Sequence, residues 1–466
     1  MHKYWLLTCL SACFFLFSCK KNGFITSHDA LISFSADSVL FDTVFTGTGS
    51  ITQSVKIYNP NNQKLLLSSV RLMGGSQSPF KLNIDGAPGP ENDNIEMEPN
   101  DSIYVFISVN GQGSSSNLAF ILQDSIQVSY NGNNSYIQLQ AWGQNAHFFN
   151  NQVIGTNTTW TNDLPYVILG GLQIDTNAVL TIQPGCKIYF HANAPLLVNG
   201  SLQVQGEKAD SSRVYFLGDR LDAPYNGYPG SWPGIYFGTS SKDNVMSFAI
   251  IRNAYQGAVA EDAATDANPK LALNECIFDN IYDAGIMGVG SSIQASNCLV
   301  SNCGRNIVIA YGGTYRFTYC TVASYSNDYI QHLQPVLNVS NYVTQGTGYL
   351  ANDLNSSFVN CIFWGNNGTV QDEVMVSKQG NTPFTVNFQN CLWKLTNTPA
   401  GIDSSHIILN QDPLFDSVNN QTMYYDFHLR PGSQAIDQGI NTGLLFDLDG
   451  NPRLVGLPDL GCYEKQ

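Results

Sequence analysis

NECIFDN at 274–280, SNCLVSN at 296–302 and TYCTVAS at 318–324 are one seven-residue figure written three times. Cys276 to Cys298 is 22 residues, and Cys298 to Cys320 is 22 again. SFAIIRN (247–253) precedes them, and VNCIFWG (359–365) and QNCLWKL (389–395) follow. Aligned on the third position, the segments stack Ala249, Cys276, Cys298, Cys320, Cys361 and Cys391. Two residues later come Ile251, Phe278, Val300, Val322, Phe363 and Trp393, and two further on Asn253, Asn280, Asn302, Ser324, Gly365 and Leu395. Alternation with period two marks a strand, and its recurrence at a fixed step marks a repeat architecture. A small residue, a large apolar one and then Asn at a corner suits a coil of short strands, with like side chains piled about 4.8 Å apart. A row of Asn can bond along such a pile, where a lone buried Asn would be costly. A leucine-rich repeat shares this period, but its L-x-x-L-x-L frame and helical returns are missing here.

The alternation extends upstream without Cys, in Leu172/Ile174, Leu180/Ile182, Ile188/Phe190, Leu196/Val198, Leu202/Val204, Val214/Phe216 and Ile235/Phe237. LTIQPGCKIYF (180–190), LLVNGSLQVQG (196–206) and WPGIYFG (232–238) are similar to the opening coils of secreted bacterial β-helices. DPLF (412–415), DFHLRPGSQAIDQG (426–439), DLDGNPR (447–453) and DLGCYE (459–464) resemble a block that closes many of them. Residues 150–440 therefore resemble a right-handed parallel β-helix of the pectate-lyase-like solenoid superfamily. Residues 441–466 are expected to cap its last coil, because a bare end exposes strand edges. The period breaks at Cys320 to Cys361 (41 residues) and Cys361 to Cys391 (30). The longer step is two coils or one with a long loop, and 325–358 is the largest candidate protrusion.

Residues 33–147 have another texture. Ser38–Phe45, Thr52–Tyr58, Lys64–Leu72, Phe80–Ile84, Ser102–Val109, Asp124–Tyr130 and Ser135–Trp142 alternate as short strands between turn clusters such as NPNNQ (59–63). Seven such strands argue for an antiparallel sandwich. FDTVFTGTG (41–49), VKIYNPN (55–61) and DSIYVFISV (101–109) resemble Ig-like domains that precede β-helices in exported bacterial lipoproteins. The fold class expected is thus all-β, a right-handed parallel β-helix preceded by an Ig-like β-sandwich, the latter a spacer without chemistry of its own.

At the N-terminus, Lys3 is followed by an uncharged stretch from Leu6 to Ser18 and then by Cys19-Lys20-Lys21. The stretch suits a secretory signal and is too short to span a bilayer. Leu16-Phe17-Ser18-Cys19 resembles a bacterial lipobox, which implies that residues 1–18 leave, that Cys19 is acylated, and that 19–32 form a tether. Several acyl chains anchor a protein stably, so the expected location is the outer membrane, facing either the periplasm or the surface. An ordinary signal peptide with a chance cysteine is the alternative.

Lys+Arg 21 against Asp+Glu 36 gives a net charge of −15, which excludes a nucleic-acid partner, since phosphate contact needs clustered cations. Charged residues are only 12% of the 466, while Gly numbers 41 and Asn 47, a composition for tight turns between short strands. Eight cysteines remain beyond Cys19, with no C-x-x-C pair, so neither zinc nor thioredoxin-like chemistry is indicated.

A polysaccharide lyase on such coils needs an Arg or Lys base with a cation such as Ca2+, and a hydrolase needs carboxylates at set separations. If Cys, Phe and Asn point inward, one outward row is Phe248, Glu275, Asn297, Tyr319, Asn360, Asn390, and another Arg252, Asp279, Ser301, Ala323, Trp364, Lys394. Glu275 and Asp279 are their only carboxylates, with Asp283 just beyond, and Arg252 lies one coil from Asp279 as an expected surface ion pair. Glu275, Asp279 and Arg252 are the only catalytic candidates; Tyr319 and Trp364 are candidates for stacking on sugar rings. The middle outward row, Ile250, Ile277, Leu299, Thr321, Ile362, Leu392, is apolar. Either the parity is reversed, or loops or the sandwich cover the row, or it is a binding stripe. DLDGN (447–451) begins like a calcium loop, but Pro458 stands where a bidentate Glu belongs, so no metal site is expected. His191, His332, His406 and His428 sit in no nucleophile or metal-ligand motif.

Two functions follow. One is a non-enzymatic envelope protein whose coils present a surface to a glycan or an envelope protein. The other is a lyase or hydrolase acting on acidic polysaccharide near Glu275, Asp279 and the 325–358 loop, and only this one would call for Ca2+. The lack of a complete carboxylate or base set favours the first.

Overall fold

The computed structural model describes residues 23–46, 49–111, 119–366 and 368–466; the signal segment and Cys19 lie outside the described residues. The chain divides into two compact units, 1–145 and 146–466.

The first unit has two five-stranded sheets. Ser33–Phe34, Gln53–Tyr58, Ser102–Val109, Phe80–Ile84 and Ala87–Pro88 form one; Ser38–Phe45, Asn133–Gln144, Phe120–Tyr130, Leu65–Leu72 and Glu91–Met97 form the other. All pairings are antiparallel except that of Ser38–Phe45 with Asn133–Gln144. Alternate residues of both sheets, among them Val55, Ile57, Val105, Ile107, Ile126, Val128 and Leu67, are wholly buried in one core. Glu91–Met97 escaped the sequence pattern because it is an edge strand: of ENDNIEM only Ile95 and Met97 are buried.

The second unit is built on one parallel sheet of 26 strands, in which strands pair mainly with the second or third strand onward. One strand per coil therefore falls in each column, an arrangement compatible with a parallel β-helix. Ala249–Arg252 lies on Ile277–Asp279, then Leu299–Ser301, Thr321–Tyr325, Ile362–Asn366, Leu392–Trp393 and Ile408–Leu409. The register places Ile251, Phe278, Val300, Val322, Phe363 and Trp393 directly over one another. Cys276, Cys298, Cys320, Cys361 and Cys391 are fully buried beside them, and all eight described cysteines are free thiols. Burial pushes the Cys298, Cys320 and Cys361 thiols well above their ordinary range, so this column is inert packing rather than a reactive set.

In three successive coils both ends of the strand use left-handed backbone. Asn253, Asn280 and Asn302 have φ between +51° and +60°, conformations Asn tolerates better than most residues. Asn280 Nδ2 donates to Asn253 Oδ1 at 2.8 Å, a bond running along the stack. The residue before Ala249 and before each cysteine of the column is also left-handed: Phe248, Glu275, Asn297, Tyr319, Asn360 and Asn390. What the sequence presents as an outward strand row is thus a column of corners.

Cys and Phe do point inward, and the apolar middle row is covered. Ile277, Leu299, Ile362 and Leu392 pack with Phe415, Phe427, Leu429, Ala435, Leu448, Leu460 and Cys462. Within the second unit the cover is the C-terminal segment rather than a loop of the coils. Two boundaries are corrected accordingly. The coil strands end at Ile408–Leu409, not near 440, and an antiparallel hairpin, Phe415–Asn419 with Tyr424–Leu429, follows. The closing block does not simply stop the last coil; it runs back along the sheet, bonding Asn390 through Gln438 O, Asn360 through Ile440 O and Arg213 through Leu448 O. The 41-residue step is one coil, because Thr321–Tyr325 pairs directly with Ile362–Asn366, and its surplus forms the hairpin Tyr342–Gln345 with Gly348–Ala351.

Candidate functional site

Where the hairpin 415–429 approaches the coil corners, it leaves a groove of about 570 Å³. Its floor is the second corner column, Arg252, Asn253, Asp279, Asn280, Ser301 and Asn302; Asn226, Gly227 and Asn327 form one side and residues 423–428 the other. The repeat dictates this floor, since three successive coils end their strand on a polar residue followed by Asn: Arg252-Asn253, Asp279-Asn280 and Ser301-Asn302. Asn280 Nδ2 donates to Gly227 O at 2.8 Å and Asn253 Nδ2 to Asn226 O at 2.7 Å, which fixes the near side.

Arg252 Nε lies 3.3 Å from Asp279 Oδ2, and Ser301 Oγ donates to Asp279 Oδ1 at 2.7 Å. On the facing hairpin, His428 Nδ1 meets Asp426 Oδ1 at 2.5 Å and Nε2 meets Asp449 Oδ2 at 3.0 Å. The two carboxylates, Asp449 first, raise His428 to about 9 against burial, so at neutral pH it is an imidazolium. Burial alone would push the Asp426 carboxyl up, but hydrogen bonds from His428 outweigh it and hold the group below its ordinary value. The groove wall also holds unused polarity: Asn302, 2% exposed, has an Nδ2 without a hydrogen-bond partner.

The His428 clamp makes a prediction. The folded imidazole, at about 9 against an ordinary 6.5, binds its proton more tightly than the unfolded one. Its contribution is therefore complete below about 6.5 and is lost as pH climbs through about 9. The urea midpoint of the second unit is expected to fall across that window, and His428→Gln to flatten the fall.

The structure brings only part of the sequence-derived site together. Arg252 and Asp279 share the groove as the expected ion pair. Glu275 does not join them: it sits at the opposite corner of its strand, accepting from Asn297 Nδ2 at 2.9 Å, and burial pushes its carboxyl up. Tyr319 is fully buried, with Arg453 stacked 4.0 Å from its ring centroid and its hydroxyl donating to Ile440 O at 2.6 Å. Trp364, 7% exposed, packs beneath the C-terminal cover. Neither aromatic offers a face to a sugar, which corrects that expectation. The 325–358 loop contributes Asn327 alone. It is pinned from below by His332, whose Nε2 meets Glu373 Oε1 at 2.9 Å in a fully buried contact. Asp426, His428, Tyr424 and Tyr425 were missed, because DFHL (426–429) reads only as part of a closing block. Among the described residues no group of three metal-ligating side chains is assembled, and no helix is long and apolar enough to cross a membrane.

No protein-family model matches the chain, and neither does any curated protein. Among solved structures it is similar to a protein of unknown function from Porphyromonas gingivalis W83, at 15% identity over 24% of this chain and 46% of that one, with a TM-score of 0.19. A family 123 glycoside hydrolase from Clostridium perfringens matches at 10% identity over 25% and 30%, with a TM-score of 0.18. The catalytic unit of a thermostable GH87 alpha-1,3-glucanase from Streptomyces thermodiastaticus strain HF3-3 matches at 9% identity over 80% and 91%, with a TM-score of 0.19. The chain spans less than half the length of the first two, and all three likenesses are too distant to assign an activity.

Proposed function

We propose that this chain is a lipid-anchored envelope protein, held in the outer membrane through Cys19, whose Ig-like β-sandwich carries a right-handed parallel β-helix that binds a glycan without cleaving it. The observation that carries this reading is the groove beside Arg252, Asp279 and Asn302, which has the size of a ligand site and a lining of amides, hydroxyls and aromatic rings. Its charges are paired with one another, and hydrogen bonds from His428 hold the Asp426 carboxyl below its ordinary value, the opposite of the raised carboxyl that serves as proton donor in glycoside cleavage.

One observation favours the alternative, a hydrolase or a Ca2+-assisted lyase: Asp279 and Asp426 line the same groove. Incubating the full chain with a panel of soluble polysaccharides, with and without Ca2+, separates the two. Binding without release of reducing or unsaturated ends is expected; release that Asp279→Ala abolishes would establish the enzyme instead.

A further inference from the structure

The charged groups of the groove decide what kind of glycan it takes. Its two cations are already engaged, Arg252 by Asp279 and His428 between Asp426 and Asp449. A uronate carboxylate entering the groove would break one of these pairs or face Asp279 and Asp426 unscreened, and like-charge contact of that kind is strongly unfavourable. The groups left to recognise a ligand are neutral. They are the corner amides, including the unpartnered Nδ2 of Asn302, and aromatic rings on both flanks.

The near flank is a run of three tyrosines. Tyr225 and Tyr228 have ring centroids 5.1 Å apart, and Tyr228 and Tyr329 4.9 Å. They adjoin Asn226, Gly227 and Asn327 of the groove side, and the Arg220 guanidinium caps the run 4.1 Å from the Tyr225 ring. That guanidinium is itself held by both carboxylate oxygens of Asp222, at 2.8 and 2.9 Å, so it is no free anion receptor. On the far flank Tyr424 is 61% exposed. Packing does not explain so exposed a ring, and stacking against the C–H face of a sugar would.

We propose that the groove receives a segment of an uncharged polysaccharide, with the corner amides bonding hydroxyls and the tyrosines of the two flanks stacking on sugar rings. This rests on the proposal that the groove binds glycan, and it replaces acidic polysaccharide as the ligand class. The near-flank tyrosines lie outside the cavity itself, while Tyr424 lines it, which suits a chain running through it better than a single sugar.

The test is affinity electrophoresis and calorimetry of the full chain with a soluble neutral α-glucan, a neutral β-glucan and polygalacturonate, each at about 0.05 and about 0.5 M NaCl, where screening differs strongly. Binding to a neutral glucan is expected, insensitive to salt and weakened about tenfold by Tyr424→Ala, on the scale of one lost aromatic contact. Tyr424 is exposed, so its removal leaves the fold intact, as circular dichroism would check. Binding of polygalacturonate alone, weakened by salt and by Tyr424→Ala, would keep the groove as a glycan site and overturn its preference for uncharged chains. Neutral-glucan binding untouched by Tyr424→Ala would overturn the location. Silence with all three polymers would overturn both proposals.

Discussion

Arg453→Met is expected to lower the stability of the second unit by about 3–5 kcal/mol, the cost of breaking a buried ionic contact from one side. Arg453 is fully buried where the C-terminal segment meets the corner column. Its Nε and Nη2 donate to Asn297 Oδ1 at 3.1 and 2.7 Å, Nη2 donates also to Gly461 O at 3.0 Å, and Nη1 lies 3.5 Å from Glu464 Oε2. Removing the guanidinium strands an Asn oxygen, a carbonyl and a buried carboxyl that burial already raises to about 7. Arg453→Lys is expected to recover little, since one ammonium cannot both fork onto Asn297 and lie flat on Tyr319. Urea unfolding gives the size of the loss. Limited proteolysis locates it, because residues after 410 should become cleavable before the coils do. Loss of stability with the C-terminal segment still protected would contradict the role given to Arg453.

The second large effect belongs to the interior. Phe358 is fully buried between Phe317, 5.4 Å away, and Phe388, 4.7 Å away, both rings nearly parallel to its own, with Phe363 edge-on at 5.7 Å. Phe358→Ala opens a cavity in the middle of this stack and is expected to cost about 3–5 kcal/mol. Phe358→Leu, which refills most of the volume, should cost under about 1.5 kcal/mol. The hairpin 342–351 and the long loop are inserted into the same coil, so disorder of that insertion should accompany the alanine variant in hydrogen exchange. Equal stability of the two variants would mean that Phe358 does not sit inside a close-packed column.

The repeat was legible because stacking imposes it: a coil that places Phe278 over Val300 over Val322 must carry apolar residues at a constant step, and the step shows in one dimension. The first unit's strands were legible for a similar reason, apart from the edge strand Glu91–Met97, whose polar residues carry no alternation, and Ser33–Phe34 and Ala87–Pro88, too short to show any. The covered row was legible only as a puzzle. Ile277, Leu299 and Ile362 are as apolar as the core positions, and nothing in their own segments says that residues from Phe415 onward return to bury them. The corner column shows the same limit. Glu275, Tyr319 and Asn297 look like exposed chemistry when read by strand parity, but a left-handed turn delivers them to the seam with Arg453. The groove suffers most. Arg252 and Asp279 come from the repeat, Asp426 and His428 from a segment some 150 residues later, and only long-range packing brings them together.

Hydrogen exchange of the full chain, with and without the neutral glucan it binds best, tests the groove most directly. Exchange is expected to slow at 226–228, 252–253, 279–280 and 423–428, the four segments that the C-terminal fold-back unites, and to stay unchanged over residues 23–145. Slowing confined to 23–145, or to coil segments remote from the hairpin, would show that the ligand sits elsewhere and that the groove is only a seam in the packing.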